Sequence, residues 1–173
     1  AVLLRWQTAS ETTNAGFAVQ RKVDDGTFDR IGFVEGAGTT TVPRAYRFRD
    51  DAIPFGAGRL TYRLKQVDTD GSVEYSSTVR VALQPPDRLA LHGNAPNPFS
   101  GRTTIRYELP RAGRVQMEVY NVFGQRVALL VNEQQAAGRK TVAFDSHAIA
   151  SGMYFVRLRA FGEQRVTKMT VAQ

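Results

Sequence analysis

Apolar and polar residues alternate along most of this chain, with a period of two residues rather than the 3.6 of a helix. Clusters of glycine and aspartate separate the alternating runs, as turns do between short strands. The pattern predicts an all-β chain that forms two consecutive antiparallel immunoglobulin-like β-sandwiches. The alternating runs begin at Val2, Phe17, Tyr46, Tyr62, Val79, Ile105, Val115, Val142, Tyr154 and Met169.

Polar and glycine-rich stretches mark the expected breaks between strands. Only one stretch, residues 131–137, has any helical character, and Gly138 would end it. We interpret it as a loop or a single helical turn. Turns are predicted at residues 11–16, 24–26, 36–38 and 68–71.

Two consecutive prolines, Pro85 and Pro86, interrupt the pattern near the middle of the chain. Proline cannot continue a central strand, and a proline pair stiffens a joint. The sequence therefore predicts a sandwich over residues 1–83, a linker over residues 84–93 and a second sandwich over residues 94–173.

Trp6 and Tyr62 are the expected anchors of the first sandwich. Trp6 lies in phase with apolar residues of an early strand, so we expect it to be buried in the core. Tyr62 fits either a tyrosine corner, whose hydroxyl returns to nearby backbone, or a plain core tyrosine. No strand precedes the one that carries Trp6, and the start of the chain has neither an initiator Met nor signal-peptide features. We expect this sandwich to lack its first strand and the chain to be part of a longer protein.

The chain is strongly basic, but its positive charges are dispersed along the sequence. The 173 residues carry a formal charge of +7, and the sequence contains no cysteine. Most basic residues are single arginines beside apolar strand positions, which is typical of solvated sheet faces. Because no basic block or nucleic-acid-binding motif is present, we predict no nucleic-acid partner. Apolar runs long enough for a transmembrane helix are absent as well.

Candidate catalytic chemistry is sparse. The two histidines, His92 and His147, have no partners at zinc-ligand spacing, and neither a nucleophile motif nor a phosphate-binding loop occurs. Residues 68–71 resemble the start of a calcium loop, but its twelfth position is Val79, so a hairpin turn is the better interpretation. We therefore predict no enzyme activity, no metal and no cofactor.

An ordered series of motifs marks the second half of the chain. It runs from N-A-P-N-P-F at 94–99, through T-I-R-Y-E-L-P at 104–110 and V-Y-N-V-F-G at 119–124, to S-G-M-Y-F-V-R-L at 151–158 and T-K-M-T-V at 167–171. In this order and position the series resembles a type IX secretion C-terminal sorting domain. The residues that carry the resemblance are Asn94, Pro96, Asn97, Pro98, Phe99, Gly113, Gly124, Gly138, Gly152, Tyr154, Lys168 and Met169.

That resemblance implies a route and a set of partners. The exported protein would pass through the periplasm to the bacterial cell surface or the extracellular space. An outer-membrane type IX translocon would recognise the domain, and a sortase-like peptidase would remove it. The same peptidase commonly joins the passenger, here expected upstream in the same chain, to anionic lipopolysaccharide.

Each motif residue also has a purely structural interpretation. The two prolines around Asn97 hold the start of the domain extended, and Phe99 is interpreted as a core aromatic in preference to a recognition residue. The four glycines are expected at turns that require positive φ. Lys168 alternates with Met169, so it should face solvent, where it could meet a partner or be an ordinary surface charge.

Residues 1–83 resemble a fibronectin type III-like module of the kind that often precedes such sorting domains. The matching stretches include N-A-G-F-A-V-Q-R at 14–21 and Y-R-L-K-Q-V-D at 62–68. The alternative function is an accessory carbohydrate-binding or adhesion sandwich of a secreted hydrolase. That function needs exposed aromatic residues, for which Phe155 and Phe161 are the candidates.

Overall fold

The computed structural model describes residues 1–172 and confirms the all-β prediction. It contains fourteen strands in antiparallel sheets. The chain divides into two compact units, Ala1–Leu83 and Gln84–Gln173. We call them the N-terminal unit and the C-terminal unit.

The N-terminal unit consists of two sheets. Strands β1 and β4 pair to form a sheet of only two strands. The second sheet has the order β3-β2-β5, and both β6 and β7 pair with the other edge of β5. The strands are β1 (Val2–Thr8), β2 (Glu11–Val23), β3 (Phe28–Thr40), β4 (Arg44–Asp50), β5 (Arg59–Asp68), β6 (Val73–Tyr75) and β7 (Val79–Ala82).

Two of the predicted turns, at residues 11–16 and 36–38, are wrong because both stretches lie within long strands. Two of the polar residues that suggested a turn, Glu11 and Asn14, are buried instead, and they bond to each other. The Glu11 carboxylate accepts hydrogen bonds from the Asn14 side chain at 2.7 Å and from the Ala37 amide at 2.8 Å. Bulges in the β2–β3 pairing make room for these contacts. The turns predicted at 24–26 and 68–71 are present, although Asp68 still ends β5.

Trp6 packs into the aromatic part of the N-terminal core without being fully buried, so the prediction of a buried Trp6 is only partly right. Its ring stacks on Tyr46 at 5.6 Å and meets the edge of Phe17 at 5.5 Å. Trp6 remains partly exposed because the sheet that carries it is only two strands wide.

Tyr62 is 2% exposed and lies in the core, but its hydroxyl does not return to the backbone. It donates to the Asp50 carboxylate at 2.7 Å, and the Arg21 guanidinium binds the same carboxylate at 2.8 Å. Burial raises the pKa of Asp50, but the hydrogen bonds from Tyr62 and Arg21 outweigh it and hold the pKa below its usual value. The core-tyrosine interpretation is therefore the correct one, with a buried ion pair added to it.

The C-terminal unit is a sandwich of a four-stranded and a three-stranded sheet. Their strand orders are β11-β10-β13-β14 and β12-β9-β8. Alternate residues of these strands form the core: Ile105, Met117, Val156 and Met169 are all 0% exposed. The strands are β8 (Ala90–Ala95), β9 (Arg102–Leu109), β10 (Gly113–Asn121), β11 (Arg126–Gln135), β12 (Gly138–Asp145), β13 (Gly152–Ala160) and β14 (Glu163–Val171).

Two boundaries predicted around this unit need correction. The predicted linker, residues 84–93, extends too far, because Leu89 is 1% exposed in the C-terminal core and β8 begins at Ala90. His92 accordingly lies on a strand rather than in a linker. The stretch at 131–137 is not a loop or helical turn over most of its length, since β11 pairs with β10 up to Gln135.

The corrected boundary predicts where a protease reaches the chain first. Residues 84–88 lie outside the strands, and all of them except Pro86 are exposed. We expect a broad-specificity protease at low dose to cut within 84–88 before either unit, because cleavage needs a locally extended, accessible backbone. Mass spectrometry of the first fragments would locate the cut. First cuts at the exposed residues 76–78, where Ser76 is hydrogen-bonded to Leu64, would contradict this prediction.

Candidate functional site

The segment near the start of the motif series is held in place by side-chain hydrogen bonds. We call residues 96–99 the proline segment. The carbonyl of Pro96 accepts hydrogen bonds from the side-chain amide of Asn94 and from the Thr103 hydroxyl, both at 2.8 Å. Asn94 and Thr103 are themselves 3.0 Å apart, and the bonds Ala95–Pro96 and Asn97–Pro98 are both cis. Asn94 therefore positions the segment, a role that its place in the motif alone does not reveal.

The proline segment is bonded to the last strand of the chain. The Asn97 side chain accepts a hydrogen bond from the Thr170 amide at 2.9 Å and donates one to the Lys168 carbonyl at 3.4 Å. The Phe99 amide donates to the Thr170 carbonyl at 3.1 Å, and the Phe99 carbonyl accepts from the Ala172 amide at 2.8 Å. The first and last motifs of the series, over 70 residues apart in sequence, thus form one continuous hydrogen-bonded surface.

Burial of the Phe99 ring anchors this surface to the core. Phe99 is 2% exposed, and its ring meets the edge of Phe144 at 6.1 Å. Burying a phenylalanine side chain stabilises a fold by about 1.5–3 kcal/mol. The ring therefore fixes the position of the backbone that pairs with β14, while the exposed residues of the proline segment are Pro96, Asn97 and Pro98.

The outward edge of β14 is only partly open to pairing with another strand. Strand β14 is the last of its sheet and pairs with β13 through alternate residues. Lys168 and Thr170 direct backbone groups away from β13, and the proline segment occupies them. By the same alternation, the backbone groups of Gln164 and Val166 also point away from β13, at positions that the proline segment does not reach. Val166 is 54% exposed.

The motif glycines do not lie together. Gly124 and Gly152 lie at the same end of the sandwich as the proline segment, since Gly152 is opposite Val171. Gly113 and Gly138 start strands at the opposite end, where they face Gln135 and Leu109. The nine residues of β10 separate the two ends by roughly 30 Å. One compact partner site at the proline segment therefore cannot include all four glycines.

Two glycines show different physical requirements. Gly124 has φ +76° in the turn after β10, a backbone conformation that disfavours side chains. Gly113 lies in a strand, and a Cβ there would come within 2.4 Å of the Phe161 ring. The positive-φ explanation holds for Gly124 and is wrong for Gly113, where a side chain would have to displace the Phe161 ring.

Tyr154, Lys168 and Met169 occupy positions that differ in exposure. Met169 is 0% exposed and Lys168 is exposed, as their alternation predicts. Tyr154 is buried, and its hydroxyl donates to the Ala150 carbonyl at 2.8 Å. This return of a tyrosine hydroxyl to backbone four residues earlier is the geometry that the sequence suggested for Tyr62.

A buried carboxylate on the outer face of the four-stranded sheet escaped the sequence analysis. Glu118 is 3% exposed and binds Arg157 at 2.8 Å, Arg126 at 2.9 Å and the Tyr120 hydroxyl at 2.9 Å. Hydrogen bonds from Arg157 and Arg126 lower the pKa of Glu118 to about 2. Alternation with Met117 marks Glu118 only as outward-facing, and the burial comes from arginines on neighbouring strands.

The aromatic residues expected to be exposed are not the most exposed ones. Phe155 and Phe161 are partly buried, and Phe161 packs against the C-terminal core. Phe123, at 84% exposure, and Tyr75, at 47%, are more accessible. Within residues 1–172 the structure contains no helix long and apolar enough to cross a membrane.

Fold and site together define an immunoglobulin-like β-sandwich whose first motif is hydrogen-bonded to its last strand. Residues 95–172 match the family model described as the secretion system C-terminal sorting domain. This part of the chain is thus a type IX secretion sorting domain, which confirms the resemblance carried by the motifs. Comparison with curated proteins gives no match. The fibronectin-like character of residues 1–83 stays a prediction.

This family defines the destination and the general partner of the domain. A type IX sorting domain implies export to the cell surface or the extracellular space. It also implies an interaction with the secretion machinery. The matched family is a sorting domain and not a catalytic one.

Proposed function

We propose that this chain is a C-terminal sorting and cell-surface attachment module that a type IX outer-membrane translocon reads at the proline segment and β14. The observation that supports it most is the bonding of Asn97 and Phe99 to Lys168, Thr170 and Ala172. A folded domain offers a translocon only its surface. Here the two ends of the motif series meet at one hydrogen-bonded edge, which is exposed at Pro96, Asn97, Pro98 and Lys168.

Only some of the motif residues belong to the proposed site. It comprises the proline segment, Lys168, the outward edge of β14, and the adjacent turns at Gly124 and Gly152. Gly113 and Gly138 contribute shape at the far end of the sandwich, and Tyr154 and Met169 contribute packing beneath the site. The role is recognition, and no catalytic step is assigned to the chain.

The later steps of the route belong to the same proposal. A sortase-like peptidase removes the domain and joins the passenger to anionic lipopolysaccharide. The N-terminal unit acts as a fibronectin-like spacer, and the two units fold as separate domains. The exposed residues on either side of Pro86, at 84–85 and 87–88, support this arrangement, because a peptidase needs accessible chain close to the sorting domain.

A reporter fusion tests the proposal directly. We expect residues 84–173, fused to a neutral periplasmic reporter, to carry it to the surface of a host with type IX machinery. Residues 1–83 fused to the same reporter should leave it in the periplasm. Surface antibody labelling of intact cells, compared with periplasmic extracts, measures the difference.

The corrected boundary supplies a further control in the same experiment. A fusion that starts at residue 92 lacks Leu89 and the first residues of β8, so it should fold less well and be displayed less than 84–173. The proposed function would be contradicted if residues 1–83 displayed the reporter as well as residues 84–173 do. Retention of the 84–173 fusion in the periplasm would contradict it as well.

A carbohydrate-binding or adhesion role is the second candidate function. The aromatic residues first considered for it, Phe155 and Phe161, are partly buried. A different surface, on the N-terminal unit, favours this role.

A further inference from the structure

One face of the N-terminal unit collects basic and aromatic side chains. On the outer face of the β3-β2-β5 sheet, the strand register places Arg30 and Arg63 on either side of Gln20, and Lys65 opposite Ala18. Lys22 and Arg80 lie on either side of Thr61 in the next row. We call this surface the cationic face. Its basic residues are Lys22, Arg30, Arg63, Lys65 and Arg80.

Aromatic rings hold two of these cations, Arg63 and Arg30, in place. The Arg63 guanidinium lies 4.1 Å from the centre of the Phe28 ring and 4.3 Å from that of Tyr75, and its Nε donates to the Gln20 side chain at 2.7 Å. Arg30 lies 5.1 Å from the centre of the Phe33 ring. Stacking limits side-chain freedom without neutralising the charge, so less entropy is lost when an anion binds.

Acidic side chains do not neutralise the centre of the face. Along the register, Glu35 lies at one end, opposite Gly16, and Asp25 lies in the turn at the other end, paired with Arg59 at 2.6 Å. Among residues 1–172, none of the five basic residues of the cationic face forms an ion pair. The surface therefore presents a row of charges that lack an intramolecular counter-ion.

We propose that the cationic face binds a linear acidic polysaccharide through its carboxylate or sulfate groups. Strands about 4.8 Å apart place the cations on one flat surface, which suits an extended polymer better than a compact ligand. Phe33 and Tyr75 are 40% and 47% exposed, so each offers ring surface on which the apolar side of a sugar can pack. Export to the cell surface or beyond brings the protein to polysaccharides.

The test uses the whole chain and two substitutions with equal change in charge. Heparin and polygalacturonate serve as sulfated and carboxylated probes, with dextran as the neutral control, and binding is measured by calorimetry in low salt. R30Q/K65Q removes two charges from the cationic face. R5Q/R47Q removes two exposed charges from the outer face of the β1–β4 sheet, where Arg5 and Arg47 are opposite each other.

We expect binding of at least one acidic probe, weakened about tenfold or more by R30Q/K65Q and less than twofold by R5Q/R47Q. Thermal melting of both variants near the wild-type temperature would show that folding is intact. Equal weakening by the two variants would overturn the proposal, because only net charge would then matter. Absence of binding to both acidic probes would overturn it as well. Tighter, face-dependent binding of single-stranded DNA would overturn the assignment to a polysaccharide.

Discussion

Deleting residues 167–173 is expected to abolish surface display of a reporter fused to residues 84–173 and to leave it in the periplasm. The deletion removes Met169 and Val171 from the core, at 0% and 5% exposure. It also removes the backbone groups of Lys168 and Thr170 that bind Asn97. Both the surface that we propose for recognition and part of its support are lost, so display should fall to the level of the reporter alone.

A point substitution separates recognition from folding. Asn97→Ala removes two side-chain hydrogen bonds at the surface but no core atom, so it should cost about 1–2 kcal/mol of stability. The domain should stay folded while display falls severalfold, because the exposed part of the proline segment loses its side-chain bonds to β14, whereas the backbone bonds of Phe99 remain. Asn132→Ala is the matched control: Asn132 is also exposed and accepts one hydrogen bond, from Arg114, but on β11.

The two substitutions give opposite expectations in one assay. Display should be close to normal for Asn132→Ala and reduced for Asn97→Ala, with similar periplasmic stability of both fusions. Full display of Asn97→Ala would show that recognition does not depend on the bonds between the Asn97 side chain and β14. Full display after the deletion of residues 167–173 would remove the basis of the proposed site altogether.

The alternation of apolar residues predicted the all-β fold because each sheet has one face in a core. In the C-terminal unit, Ile105, Tyr107 and Leu109 alternate in sequence and are all nearly inaccessible in the structure. Such patterns are local, since successive side chains of a strand point to opposite faces. The motifs at 94–99 and 167–171 are also local, since each can be identified from neighbouring residues in the sequence.

Contacts between polar residues distant in sequence could not be predicted in the same way. Asn97 binds backbone 71 and 73 residues away, and nothing near Asn97 specifies those partners. Glu11 and Asn14 have the composition of a turn, and only the bulged pairing of β2 with β3 buries them. Alternation assigned Glu118 to the solvent side, although arginines from two neighbouring strands cover it.

The Glu118 cluster gives the largest expected effect on stability. We expect Glu118→Gln to lower the free energy of unfolding of the C-terminal unit by about 3 kcal/mol, because it leaves the largely buried Arg157 without its counter-ion. Glu163→Gln breaks an ion pair with Arg165 that is about half exposed and should change stability by less than about 0.5 kcal/mol. Amide hydrogen exchange of β10 and β13 in the full chain measures the stability change caused by each substitution.

The N-terminal unit provides an internal reference for this measurement. Trp6 is the only tryptophan of the chain, so its fluorescence follows the unfolding of that unit. Glu118→Gln should leave the fluorescence transition unchanged while exchange in β10 and β13 becomes faster. Equal destabilisation by Glu118→Gln and Glu163→Gln would show that the buried cluster contributes no more than a surface pair.

The pH dependence of the Glu118 effect has a defined sign. Hydrogen bonds from Arg157 and Arg126 lower the pKa of Glu118 from 4.5 to about 2, so the folded state favours the ionised carboxylate. Its contribution, about 3 kcal/mol from the size of this shift, is fully present above pH 4.5 and is lost as the pH falls from 4.5 to 2. The difference in stability between the wild type and Glu118→Gln should therefore narrow over this range. A difference that stays constant from pH 7 to pH 2 would mean that the ionised state of Glu118 does not stabilise the C-terminal unit.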